Sequence, residues 1–321
     1  MHIYKKKSTF APKSKLLMRT FGRILIWVGI MAGLTLIAML IWHFGWQGSQ
    51  TTESLKWLQF LQTIGTFLLP PILCAWMWDV AHKPFSWLKL DTRKDHIQNR
   101  KSKILLFVIA IVMMIVAIPG INLLADLNSR IELPKSLDFI EQFFKQQEDA
   151  AAALTERFLQ ADNVWQLMIN IGLLALLPAL AEELSFRGTL QQLLTGESSA
   201  TSGARTHIAI WTSAIIFSAI HMQFYGFIPR MLMGALFGYM FVWTGSLWVP
   251  IVMHFTNNGI AVIAYYLFDE IGENSKSYAD TIGAGTTWWI GLISLIAVVT
   301  LIVFLLTSLD LPGYVRRTHK Q

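Results

Sequence analysis

The stretch "LPALAEELSFRGTL", residues 177–190, decides how the rest of the chain is read. It closes an uncharged run, 163–181, and then carries Glu182, Glu183 and Arg187. A spanning helix needs about 20 mostly apolar residues. A charge among them is costly unless it faces a bundle interior, a partner or water. The stretch therefore predicts a membrane helix whose polar end is turned inward.

Working outward, similar uncharged runs occupy 24–52, 57–78, 104–125, 206–229, 231–268 and 281–309. The run 231–268 is long enough for two spans, with Gly245 and Pro250 supplying the break. The pattern predicts an all-α, polytopic membrane protein of about eight transmembrane helices, organised as a single integral membrane domain over residues 1–321. Composition agrees. Hydrophobic residues make up 54% and charged residues 14%, against about 25% charged in a soluble domain, and the mean hydropathy is +0.48. The apolar part of 24–44 exceeds the roughly 7–15 residues of a signal-peptide core and no small-x-small site follows, so it reads as an anchor that stays. Cys74 is the single cysteine, which leaves no internal disulfide to form.

The net charge of +6 could suggest nucleic acid, but its distribution points to membrane orientation. Residues 1–23 carry seven basic residues and no acid, and 79–103 carry seven more basic residues. The segment 126–162 instead holds eight acids against Arg130, Lys135, Lys145 and Arg157. Cytoplasmic loops collect Lys and Arg, so the expectation is a multi-pass cell-membrane protein with both termini cytoplasmic. That topology puts 19 of the 26 basic residues inside, including the tail residues Arg316, Arg317 and Lys320. Orientation and contact with anionic membrane lipids account for the excess, with no nucleic acid partner. Within 126–162, Leu137, Ile140, Phe143, Phe144, Leu154 and Phe158 recur at roughly helical spacing, which predicts an extramembrane loop containing an amphipathic helix. Trp42, Trp46, Trp57, Trp165, Trp248, Tyr265 and Tyr266 mark span ends, where His43 and Asp79 also fall. The Gly234/Gly238 spacing allows close helix contact.

Few polar groups remain inside the spans: Glu182, Glu183 and Arg187 in the fourth, His221 in the fifth, His254 and Asn258 in the seventh. Glu183 and Arg187 are i,i+4, the favourable order for a helical ion pair. Glu182 sits about 100° round the helix, lacks that partner, and is the candidate general base. Pro178 deprives the Leu174 carbonyl of its helical hydrogen bond, a place for water to enter. In "FSAIH" Phe217 lies one turn from His221, and in "HFTNN" His254 lies one turn from Asn258. On straight, upright helices the two histidines fall at different depths, so tilt or a shifted span start is needed to bring them together. The constellation suits hydrolysis. Glu182, helped by His221, would deprotonate a water that attacks a peptide carbonyl, and His254 and Asn258 would donate to the oxyanion. Glu183 and Arg187 would hold the base helix.

At these residues the chain resembles the intramembrane glutamic endopeptidases that include the CAAX-prenyl proteases and their bacterial relatives, including bacteriocin-processing members. The family's EExxxR motif is matched by "EELSFR", 182–187, its FxxxH by "FSAIH", 217–221, and its HxxxN by "HFTNN", 254–258. The match covers roughly 170–262, the catalytic core. The resemblance implies an eight-helix fold, a glutamate–histidine pair activating water, a histidine–asparagine oxyanion site and no cofactor or metal. It further implies a peptide or protein substrate, which in eukaryotic members is a prenylated, membrane-anchored tail. Three alternatives stay open on the residues alone, one of them a catalytically silent scaffold that binds membrane peptides. Glu182, His221 and His254 could form a two-histidine, one-carboxylate zinc site, although HExxH is absent. Membrane Glu/His/Arg chains also serve as proton relays in coupled transporters.

Overall fold

With no water in the hydrocarbon, an apolar run must satisfy its own backbone, and within one segment only a helix does so. The computed structural model describes residues 13–78, 83–92, 97, 99–196, 203–271 and 282–309. Asp79, Arg93, Lys94, the N-terminal Lys5, Lys6 and Lys7 and the tail residues Arg316, Arg317 and Lys320 lie outside the described residues. Among the described residues there is no strand. The helices are α1 (Lys13–Trp46), α2 (Thr52–Trp78), α3 (Pro84–Trp87), α4 (Arg100–Ser129), α5 (Asp138–Leu159), α6 (Val164–Thr195), α7 (Gly203–Ala219), α8 (Phe227–Thr244), α9 (Trp248–Ile271) and α10 (Trp288–Ser308).

Seven of these are long and apolar enough to cross a membrane: α1, α2, α4, α6, α8, α9 and the helix ending at Ser308. The protein is a polytopic membrane protein. The eighth expected span, 206–229, differs. It forms α7, only 17 residues long, and the chain turns before α8 begins at Phe227. Met222, at φ +54°, sits in the left-handed region within that turn. His221 consequently lies just past a helix end rather than inside a span. The break inside 231–268 falls at Gly245, which ends α8 at φ +68° in the left-handed conformation that glycine adopts at least cost.

Three membrane prolines organise the packing, because each leaves a carbonyl without its helical donor. Pro71 in α2 cannot bond the Phe67 carbonyl, and the Ser185 hydroxyl of α6 donates to it at 2.8 Å. Pro178 in α6 cannot bond the Leu174 carbonyl, and Asn258 Nδ2 of α9 donates to it at 3.4 Å. A turn of π-helix, Thr63–Leu68 and Ile171–Leu176, precedes each of these prolines. Beside Pro119 in α4, the Ser294 hydroxyl of α10 accepts from Gly120 N–H at 3.0 Å and donates to the Val116 carbonyl, so it inserts into the α4 ladder. At Pro71 and Pro178 a neighbouring helix thus supplies the missing donor, and beside Pro119 a serine is inserted into the next rung, Val116 to Gly120.

Small residues set the approach distances, as expected where lipid gives helices no hydrophobic reason to associate. A Cβ on Gly65 of α2 would lie 2.8 Å from the Leu34 carbonyl oxygen of α1. A Cβ on Gly238 of α8 would lie 2.7 Å from Gln191 Oε1 of α6 and 2.9 Å from Ile210 of α7. Helix α6 carries the inverted character that the opening stretch predicts. Glu183, Ser185, Arg187, Thr189 and Gln191 are all buried, and Arg187 heads the largest fully buried side chains. Apolar residues such as Leu36, Ile111 and Val299 face outward instead.

Candidate active site

The site grows from the far end of α6. Four residues on from Glu183, Arg187 donates from Nη1 to Glu183 Oε1 at 2.6 Å, with both side chains at most 1% exposed. Its Nη2 donates to the Gly234 carbonyl of α8 at 2.8 Å. One turn later Gln191 Nε2 donates to the Gly238 carbonyl at 3.1 Å. The two glycines predicted to allow close contact therefore also expose carbonyls to α6, and the arginine and the amide bind them as two successive rungs.

Two aromatic rings hold the guanidinium. Its carbon lies 4.8 Å from the Phe217 ring centre and 5.4 Å from that of Phe237, a cation–π arrangement strengthened by the absence of water. Phe217 is also the common neighbour of both imidazoles, 5.1 Å from His221 and 6.0 Å from His254 between ring centres. That is the physical content of the phenylalanine one turn before the histidine: its ring separates a buried cation from two bases.

His254, six residues into α9, is fixed on two sides. Its Nδ1 bonds Glu183 Oε1 at 2.9 Å, and its ring stacks on Phe237 at 5.6 Å and 29°. Its Nε2 lies 3.9 Å from Glu182 Oε2, and the Glu182 side chain is 14% exposed. That distance is too long for a direct hydrogen bond and is the kind of gap one water can bridge. The sequence reading gives Glu182 the help of His221. The closest imidazole to its carboxylate is instead His254, whose orientation is set by Glu183.

His221 caps α7. The last carbonyls of a helix lack intrahelical donors. Here the His221 backbone N–H turns to the Ser218 carbonyl at 3.3 Å while its ring Nδ1 bonds the Phe217 carbonyl at 2.8 Å. Asn258, besides serving the Leu174 carbonyl, accepts from Asn257 Nδ2 through Oδ1 at 3.1 Å. One amide hydrogen of Asn258 beyond that bond is left by stoichiometry.

Arg230, in the first turn of α8, is a residue the motif reading missed. It lies within electrostatic reach of Glu182, His221 and Glu148. Its Nη2 bonds Gln223 Oε1, and its buried Nη1 has no hydrogen-bond partner. Its signal was available: it is the lone charge separating two long uncharged runs. The turn that carries His221 is itself held from outside. Asn128, near the end of α4, donates to the Phe224 carbonyl at 2.8 Å and accepts from Ile228 N–H at 2.9 Å. From α5, Glu148 accepts from Tyr225 N–H at 2.9 Å and Phe144 stacks on Phe224 at 5.4 Å. No group of three or more His, Cys, Asp or Glu side chains among the described residues is disposed to hold a metal ion.

Fold and site together define a polytopic membrane protein with an acid–imidazole–guanidinium cluster buried between its helices. Residues 164–260 match the family model described as type II CAAX prenyl endopeptidase Rce1-like, the family that the three motifs resemble. Over 90 residues the chain is 39% identical to the uncharacterized protein YpbD of Bacillus subtilis (strain 168). That alignment covers 27% of this chain, and the chain spans 40% of the length of this curated relative. No solved structure matches.

Proposed function

We propose that the protein is a membrane endopeptidase of the CAAX-protease type that hydrolyses peptide bonds of membrane-associated peptides or proteins. The observation that carries this reading is the 3.9 Å gap between Glu182 Oε2 and His254 Nε2, with Nδ1 of the same ring held on Glu183. With the Nδ1 proton donated to Glu183, Nε2 offers a lone pair. A water in the gap would donate one hydrogen to Glu182 and one to Nε2, leaving an oxygen lone pair for a substrate carbonyl. The water proton passes to Glu182 as the C–O bond forms. The oxyanion is stabilised by Asn258 Nδ2–H, the kind of fixed donor that contributes several kcal/mol in acyl transfer. The proton then moves to the amide nitrogen as the C–N bond breaks, giving a carboxylic acid and an amine. In this reading Glu183 and Arg187 position His254, and Phe217 positions His221 at the edge of the site.

The Lys/Arg bias of the loops supports both termini on the cytoplasmic side of the cell membrane, with the 17-residue α7 traversing as the eighth, short crossing. The test is cleavage of a membrane-embedded fluorogenic peptide by the purified protein in liposomes. Glu182→Gln should abolish cleavage while leaving folding intact, and a chelator should leave it unchanged. Cleavage retained by Glu182→Gln would refute the role of that carboxylate. Loss of cleavage on chelation, restored by added zinc, would favour a metallopeptidase. Proton-coupled uptake with no cleavage would favour a carrier.

A further inference from the structure

One large cavity is lined by none of the four candidate catalytic side chains, Glu182, His221, His254 and Asn258. Between α2, the end of α5 and the first half of α6 there is a space of about 940 Å³, near the upper end for small-molecule sites. Its two ends differ in chemistry. One end is ringed by Glu53, Lys56, Arg157 and Asp162, and the rest is walled by Phe60, Ile169, Leu173, Leu176 and Leu180.

We propose that this cavity is a binding site for a zwitterionic phospholipid with a primary ammonium headgroup. The first argument is charge. The rim carries two cations and two anions, and none of the four forms an ion pair with another described residue. Lys56 Nζ donates to Asn170 Oδ1 at 2.7 Å, and Arg157 Nη2 donates to the Gln50 carbonyl at 3.0 Å. These bonds anchor the two heads at the rim and use only part of their three and five donors. The remaining donors suit a phosphate, and the carboxylates of Glu53 and Asp162 suit an ammonium that can donate to them. A phosphatidylglycerol headgroup offers the carboxylates only neutral hydroxyls and no balancing positive charge. A trimethylammonium headgroup matches the charge but has no N–H for the carboxylates.

The second argument is length. From Gln166 to Leu180 along α6 is fourteen residues, about 21 Å, which exceeds one leaflet of a hydrocarbon core about 30 Å thick. Acyl chains can therefore run the whole depth of the cavity, from the polar rim to the leucines just before the glutamates. An occupant there packs against the face of α6 defined by Leu173, Leu176 and Leu180, and stiffens the helix that bears the site.

The experiment uses the full chain, purified in detergent, delipidated, and titrated separately with phosphatidylethanolamine, phosphatidylcholine and phosphatidylglycerol of matched chains. Native mass spectrometry reads bound lipid, and thermal unfolding reads its effect. Phosphatidylethanolamine should bind about tenfold more tightly than either other lipid, a difference of about 1.4 kcal/mol, and should raise the melting temperature. Glu53→Gln, a mild change at the rim, should erase the preference over phosphatidylcholine. Leu173→Trp, which fills the cavity, should lower affinity for all three lipids. Equal binding of the three by the unaltered protein would overturn the proposal. So would a preference unmoved by Glu53→Gln, or displacement of the lipid by a hydrophobic peptide at equal concentration. None of these three results decides whether the protein cleaves peptides, which is measured separately with Glu182→Gln.

Discussion

Replacing Arg187 with methionine removes a cation from a place water does not reach. Glu183 would remain 0% exposed, with Oε2 already lacking a partner and Oε1 left with His254 Nδ1 alone. Breaking one side of a buried ion pair costs about 3–5 kcal/mol, because the surviving charge stays desolvated. That is a large share of a typical stability of about 5–15 kcal/mol. The Gly234 carbonyl loses the additional bond from Nη2 as well. The double variant Glu183→Leu/Arg187→Met takes out both charges and keeps most of the volume, and such apolar replacements are often neutral or better. The double variant should therefore be more stable than Arg187→Met by about 2 kcal/mol or more, a strong coupling between contacting residues. Cys74 offers the assay. It is the single cysteine, fully buried, and reacts with a maleimide fluorophore only on unfolding. Melting followed at Cys74 gives the four corners of the cycle, the Glu183→Leu single variant included, and peptide cleavage is lost wherever Glu183 is replaced, because His254 Nδ1 loses its anchor. Additive effects, or an Arg187→Met protein as stable as the unaltered one, would refute the idea that the pair is a closed, mutually dependent unit.

Two further outcomes follow from the packing. Gly238→Ala places a methyl 2.7 Å from Gln191 Oε1 and 2.9 Å from Ile210. It should cost about 1–3 kcal/mol as overpacking. Gly259→Ala, with nothing within 4 Å of the new methyl, should be neutral or slightly stabilising in the same Cys74 assay. Phe144→Ala combined with Glu148→Gln should free the turn that carries His221. Hydrogen exchange at 220–228 should accelerate and kcat should fall, with little change in melting. Unchanged exchange there would show that α5 does not hold the turn.

The chain's own sequence determined a good deal. Runs of about 20 uncharged residues select membrane helices because hydrocarbon forbids any other local solution, and the i,i+4 spacing of Glu183 and Arg187 makes their contact a property of one helix. The family resemblance rested on motifs that lie within single segments for the same reason. Tertiary structure decided what depends on crossing helices. Residue order does not reveal that Asn258 collects the Leu174 carbonyl, that Ser185 collects Phe67, or that His254 rather than His221 lies nearest Glu182. It also hid the end of α7 two residues before His221, because the run stays apolar through the turn. There the chain reverses through bonds made by Asn128 and Glu148, roughly eighty to a hundred residues away. Hydrogen-bond partners that distant are set by the geometry of packing, which hydropathy does not encode.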